Sequence, residues 1–186
     1  MLIANGEARI VTLHRYSLVV AVAMLLMPIE GVPQVSRSAD PTGVVRSFYR
    51  FHLARDKNFT RRNVMRRKQW LSPALYRLLL NEFVREEEYN RSHPNESFVP
   101  YMEGDPFTSS QEFPTSFRIG NSLLTQNKAD VKIIFLWSAR SSRGRDQRNA
   151  QIELIKRSGS WLIDNVIDTD NDGNLVADLK REKYVP

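Results

Sequence analysis

The spacing of apolar and polar residues changes from a helical to a strand-like period near Thr115. Before this point, Asp40-Pro41 and Ser72-Pro73 each place a capping side chain ahead of a proline, which is a typical helix start. Apolar residues recur behind both caps at helical spacing, which predicts one helix ending near Arg55 and another ending near Tyr89. The outward positions of the second of these helices are Arg77, Asn81, Glu82 and Arg85.

The segment between these helices is basic and amphipathic. It runs from Thr60 to about Leu71, and its period directs Val64 and Met65 inward. We therefore predict a further helix here, so that three helices precede the strand-rich half of the chain.

After residue 115 the period is two. Alternation over residues 131–137 is typical of a strand buried on one face, and a turn at Ser158-Gly159-Ser160 joins two further strands as a hairpin. An earlier strand over residues 116–119 and a short closing helix over residues 175–182 complete the prediction. Helices followed by antiparallel strands give an α+β fold, which we expect to occupy one domain over residues 40–186.

The first 39 residues have the order of an export signal. Arg9, His14 and Arg15 precede an apolar run over residues 17–27, which prolines interrupt before it reaches the roughly 20 residues of a membrane span. Cleavage within residues 31–39 would release a periplasmic or secreted protein. An uncleaved membrane anchor is the alternative.

The composition excludes several kinds of site and favours one charge of partner. The chain has no cysteine, which excludes disulfides, thiolate nucleophiles and cysteine-ligated metals. Its formal charge of +6 favours anionic neighbours, which for an exported protein are lipid headgroups, cell-wall polymers or acidic proteins rather than nucleic acid.

Two basic clusters carry much of this charge. They are Arg61, Arg62, Arg66, Arg67 and Lys68 in the second predicted helix, and Arg140, Arg143, Arg145 and Arg148 between two predicted strands. Aromatic residues are not interleaved with these cations, as a groove for single-stranded nucleic acid requires. We interpret both clusters as solvated faces, with contact to an anionic surface or an acidic protein as the alternative.

Three short motifs stand in a fixed order along the chain. They are Ser72-Pro73-Ala74-Leu75-Tyr76, then Gly104-Asp105-Pro106-Phe107 with Gln111-Glu112, then Trp161-Leu162-Ile163-Asp164-Asn165-Val166-Ile167. In this order they resemble a family of exported bacterial domains of unknown function, similar in fold to the nuclear transport factor 2-like, or cystatin-like, cone. The resemblance covers residues 41–183 and implies a curved antiparallel sheet wrapped around a helix, often leaving a pocket. It implies no particular reaction.

The sequence assigns no catalytic residue. His52 stands four residues before Asp56, a spacing that permits a hydrogen-bonded pair for general-base chemistry. We interpret His52 as a helix-surface or core-edge residue and His93 as a solvent-facing loop residue. Nucleophile-elbow, zinc-protease and phosphate-loop motifs are missing from the sequence.

The stretch over residues 90–114 lacks a period and is long for a connection, which is typical of functional loops and lids. Asp105, Phe107, Gln111 and Glu112 are its ligand-pocket candidates, because they combine polar groups with an apolar wall. In the alternative interpretation, Asp105 caps nearby amides and Phe107 anchors the loop to the core.

An acidic stretch follows the last predicted strand. Asp168, Asp170 and Asp172 occupy positions one, three and five of a pattern like the calcium loop of an EF-hand, and Gly173 occupies position six. Leu179 stands at position twelve, where a glutamate is needed. We interpret the stretch as an acidic hinge, with calcium as the alternative, and we predict no other cofactor.

These observations predict an exported binding module for a small ligand in the cone or for a partner protein. A pocket enzyme on the same fold, an isomerase or hydrolase, is one alternative. An inhibitor or immunity-like protein that acts on another exported protein is the other.

Overall fold

A computed structural model describes residues 40–55, 57–95, 104–138 and 147–181. The predicted export signal lies outside the described residues. So do Asp56, whose spacing permits a pair with His52, and Arg140, Arg143 and Arg145 of the second basic cluster. Within the described residues, no helix combines the length and the apolar character needed to cross a membrane.

Capping side chains begin the N-terminal helices. These are α1 (Pro41–Leu53), α2 (Arg61–Arg67) with a 3₁₀ turn (Lys68–Trp70) directly behind it, and α3 (Pro73–Ser92). Asp40 accepts hydrogen bonds from two amides of the first turn of α1, and Ser72 accepts a 3.0 Å bond from the amide of Leu75 in α3. Both predicted starts are therefore confirmed, and α3 extends to Ser92 rather than ending near Tyr89.

The rotation of α2 about its axis differs from the prediction. Met65, expected inside, is 56% exposed, whereas Arg67, expected on a solvated face, is 2% exposed. Asn63 and Val64 complete the buried side of this helix. The reason is that the Arg67 guanidinium donates hydrogen bonds to buried acceptors on α1 and within α2. The spacing of apolar residues cannot predict such hydrogen bonds. Glu82 of α3 is likewise buried, at 5% exposure, where the pattern directs it outward.

Five strands form one antiparallel sheet in which each strand pairs with the next in chain order. The strands are β1 (Ser116–Leu124), β2 (Lys128–Leu136), β3 (Gln147–Arg157), β4 (Ser160–Asp168) and β5 (Gly173–Asn174), and α4 (Leu175–Lys180) follows. The α+β class, the predicted hairpin between β3 and β4, and the closing helix are confirmed.

One face of the sheet is buried against the helices. Val131, Ile133 and Phe135 of β2 are fully buried, as their alternation predicts. α1 contacts β1, β2 and β4, and the rings of Tyr49 and Phe135 meet with centroids 5.2 Å apart. The side chains of α1 are therefore held against the middle of the sheet.

Candidate functional site

The Gly104-Asp105-Pro106-Phe107 motif folds as a tight turn that places the Asp105 carboxylate inside the domain. The amide of Asp105 donates to the carbonyl of Ser110 at 2.9 Å and closes the turn. Gly104 has a φ of +95°, and a Cβ at this position would overlap the Ser110 carbonyl oxygen. Both the backbone conformation and the available space therefore require glycine. Asp105 also accepts a 3.1 Å hydrogen bond from the amide of Phe107 within the turn.

His52, Arg67 and Asp105 form a buried triad that joins α1, α2 and this turn. Nε2 of His52 lies 2.6 Å from Oδ2 of Asp105, and the Nε–H of Arg67 donates to Nδ1 of His52 at 2.8 Å. All three residues are at most 2% exposed. The Thr108 hydroxyl donates to the same Asp105 oxygen at 2.8 Å, and Arg67 donates again to the carbonyl of Asn63 at 2.7 Å.

The hydrogen bonds of His52 determine which nitrogen of its ring carries the proton. A guanidinium can only donate, so Nδ1 is the acceptor and the neutral ring carries its proton on Nε2, where it donates to Asp105. Both ring nitrogens are therefore engaged inside the domain. A general base needs a nitrogen within reach of a substrate. The buried triad thus supports a structural role and supplies no candidate catalytic group.

Tyr49 adds a second link between α1 and the turn. Its hydroxyl donates to the carbonyl of Phe107 at 2.7 Å. Burial and, to a lesser extent, the nearby negative charge of Asp105 raise the pKa of Tyr49 well above its usual value of about 10. The phenol therefore remains a hydrogen-bond donor over the physiological pH range.

Buried aromatic rings lie between α1 and the sheet, where the sequence predicts a ligand. Phe107 packs edge-to-face on Phe48 with centroids 5.1 Å apart, and Tyr49 packs on Phe135. Each of these four rings belongs to a residue that is at most 2% exposed.

The four predicted pocket residues divide between two environments. Asp105 and Phe107 are buried in the turn, whereas Gln111 and Glu112 are exposed beyond it. The carbonyl of Glu112 accepts a 2.9 Å hydrogen bond from the indole N–H of Trp137. The structure therefore does not bring these four side chains to one surface.

An open groove of about 400 Å³ runs between α1 and the start of β1. Its lining residues are Arg46, Tyr49, Arg50, Leu53, Ala54, Thr115, Ser116 and Phe117. Arg46 and Arg50 are exposed and lie one helical turn apart. Leu53, Phe117 and the side of Tyr49 supply an apolar floor, and no lining residue is acidic. We call this feature the α1–β1 groove.

A second groove of about 350 Å³ lies between α3, β4 and α4. Its polar lining includes Arg77, Lys180, Asn81 and Asp164, so cations and a carboxylate share one space. Its charge therefore favours neither an anionic nor a cationic ligand.

The acidic stretch after β4 uses its carboxylates in hydrogen bonds within the chain. Asp168, 3% exposed, accepts bonds from the amide of Asp170 at 3.0 Å and from the side chain of Asn171 at 2.8 Å. Asp170 accepts a 2.9 Å bond from the amide of Asn149, and Asp172 has a φ of +54°. Across the described ranges, no group of three His, Cys, Asp or Glu residues is placed to hold a metal ion.

Several of the clustered arginines have partners within the domain. Arg148 lies 3.6 Å from Asp168, stands over the Trp137 ring and donates to the carbonyl of Ser109. Arg61 pairs with Glu87 at 2.8 Å on the surface. In the first cluster, Arg62, Arg66 and Lys68 are exposed.

Sequence reasoning missed the buried triad and the groove. The spacing on α1 permits a pair of His52 with Asp56, and the sequence favours a helix-surface or core-edge position for His52. The structure instead buries His52 fully and pairs it with Asp105, 53 residues away. The nearest sequence signal was the Gly104-Asp105-Pro106-Phe107 motif itself, which the capping interpretation described in part. Arg67 gave no signal, because it lies in a run of arginines.

Comparison with known proteins gives no match to this chain: no family model, no curated protein and no solved structure matches it.

Proposed function

We propose that this chain is an exported binding module of the nuclear transport factor 2-like type that binds a carboxylate-bearing ligand in the α1–β1 groove. One observation carries the proposal. The groove combines an apolar floor with two exposed arginines and no acidic lining residue, whereas the aromatic rings between α1 and the sheet are buried. Helices that precede a five-stranded antiparallel sheet support the fold part of the proposal.

The two arginines are arranged to share one anion. Residues four apart on a helix have Cβ atoms roughly 5–6 Å apart, which two oxygens of one carboxylate, or two neighbouring carboxylates, can bridge. Within the described residues, neither Arg46 nor Arg50 forms an ion pair that would compete. Guanidinium groups bind carboxylates through paired, charge-assisted hydrogen bonds.

The enzyme alternative has less support. Its best candidate group would be His52 beside Asp105, but both nitrogens of that ring are engaged and the triad is buried. The groove itself offers arginines, a threonine and a serine, without a base beside either hydroxyl among its lining residues. This composition favours binding over reaction.

Isothermal titration with two probes tests the proposed site. Citrate represents a small ligand, and hexaglutamate represents an acidic segment of a partner protein. In Arg46→Ser/Arg50→Ser, we expect the affinity for the bound probe to fall by about tenfold or more, because each lost charge-assisted bond is worth roughly 1.5–3 kcal/mol. Binding of citrate would indicate a small ligand, and binding of hexaglutamate alone would indicate a protein.

Arg62→Ser/Arg66→Ser is the matched control. It removes the same charge from exposed positions on α2, outside the groove. Equal losses in both double variants would show a nonspecific charge effect and contradict the proposed site. A larger loss in the α2 variant would instead assign anion binding to the first basic cluster.

Export is tested separately by the intact mass of the protein recovered from its host. Cleavage within residues 31–39 predicts loss of the whole apolar run. A full-length mass in the membrane fraction would support the uncleaved anchor instead.

A further inference from the structure

We propose that the outer edge of β1 accepts an added strand from an extended, acidic segment of a partner protein, with its acidic side chains bound in the α1–β1 groove. This inference rests on the proposed function and specifies the class of partner. An exposed edge presents unpaired amides and carbonyls in a row, which is the template used in recognition by strand addition.

The two edges of the sheet differ in length. β5 has two residues and leads directly into α4, so it offers almost no edge. β1 has nine residues, contains neither proline nor lysine, and pairs only with β2 among the described residues. Proteins usually protect their edges with short strands, prolines or lysines. β1 therefore lacks three of the common protections.

Register shows which groups of β1 point outward. The amide of Thr125 donates to the carbonyl of Lys128, so the backbone N–H and C=O groups of the even-numbered residues of β2 face β1. The amide of Lys156 in β3 donates to the carbonyl of Asn127, so the backbone groups of the odd-numbered residues face β3. Ile134 is opposite Arg118, and their backbones therefore face each other. It follows that the amides and carbonyls of Phe117 and Ile119 point away from the sheet.

The groove and this edge form one continuous surface. Phe117 both lines the groove and presents an outward amide. The register shift between Ile119 and Ser122 interrupts the ladder, so an added strand would pair with the segment before the shift, beside Arg46 and Arg50.

Charge favours an acidic partner over a second copy of this chain. Neither α1 nor β1 contains an acidic residue, and Arg118 adds an exposed cation to the edge. Pairing of β1 with the β1 of a second copy would bring the exposed arginines of α1 and β1 in the two copies together. An acidic segment instead places its carboxylates against them.

Amide hydrogen exchange with a nine-residue peptide of alternating glutamate and valine tests the inference. We expect slowed exchange at Phe117 and Ile119 on binding, with the amides that face β2 unchanged. The same peptide, N-methylated at its consecutive central residues, keeps its charge but cannot form the ladder. We expect it to bind about tenfold or more weakly.

Other outcomes would overturn strand addition. If both peptides bind equally and only the Arg46→Ser/Arg50→Ser variant loses affinity, anion binding in the α1–β1 groove stands and the added strand does not. If no anionic probe binds, the proposed function itself fails. Slow exchange of the Phe117 and Ile119 amides without peptide would show that something else already covers the edge. If this protection depends on protein concentration, a second copy pairs with β1. If it does not, another segment of this chain covers β1.

Discussion

The Nε–H of Arg67 donates to Nδ1 of His52 at 2.8 Å inside the domain, although the two residues are 15 positions apart on different helices. Because arginine cannot accept a hydrogen bond, this contact directs the other ring nitrogen to donate to Asp105. A buried cation and a buried carboxylate thus offset each other through one imidazole. The same contacts hold α1, α2 and the Gly104-Asp105-Pro106-Phe107 turn together.

Removing either charge of this triad takes away the opposite charge to which His52 connects the other one. We expect Arg67→Met and Asp105→Asn each to lower the free energy of unfolding by about 3–5 kcal/mol. The double variant is expected to lose less than the sum, with a coupling of about 1–3 kcal/mol. Urea unfolding of the four proteins measures this cycle. Arg66→Met, at an exposed neighbour, is the control and is expected to change stability by no more than about 0.5 kcal/mol. Strict additivity would contradict the relay through His52.

The raised pKa of Tyr49 predicts that the folded protein loses stability at alkaline pH. Its pKa is raised in the folded protein, so the folded state holds the phenolic proton more tightly than the unfolded chain does. The resulting stabilisation is fully present below about pH 10 and is lost as the pH rises through the folded pKa. Chemical denaturation measured from pH 8 upward is expected to show this loss in the native protein and in Tyr76→Phe. Tyr49→Phe is expected to lack it, and an unchanged alkaline slope in that variant would contradict the assignment.

Two glycines with positive φ give a matched test of the turn. Gly104 has a φ of +95° and no space for a Cβ, whereas Gly159 has a φ of +78° and no neighbour within 4 Å of that position. Gly159→Ala is expected to cost about 1–2 kcal/mol from backbone conformation alone. Gly104→Ala adds the overlap with Ser110, a further cost of about 1–3 kcal/mol. Equal losses in thermal unfolding would show that the turn does not pack as described.

The acidic stretch is expected to stabilise the fold without calcium. Asp168 and Asp170 already accept hydrogen bonds within the chain, which coordination of a cation would have to replace. We expect the same unfolding temperature in millimolar calcium and in chelator. Asp168→Asn is expected to destabilise the protein by about 1–3 kcal/mol in both conditions. A rise with calcium that Asp168→Asn abolishes would restore the calcium interpretation.

Local signals in the sequence predicted the local structure well. Asp40 and Ser72 predict the starts of their helices because a cap and the following proline act within one helical turn. The alternation around Ile133 predicts its strand because it too involves only residues close together in the sequence. The triad depends on residues separated by up to 53 positions, and the period that directs Met65 inward gives no hint that Arg67 is buried. The groove arises only when α1 lies beside β1, so Arg46 and Arg50 could not be distinguished from other surface cations.

Mapping of amide shifts in the native protein during titration with hexaglutamate tests the central claim most directly. The account predicts saturable shifts over residues 46–54 and 115–117, and none of comparable size around Arg62 and Arg66. Shifts centred on α2, or an absence of saturable shifts with both hexaglutamate and citrate, would contradict binding in the α1–β1 groove.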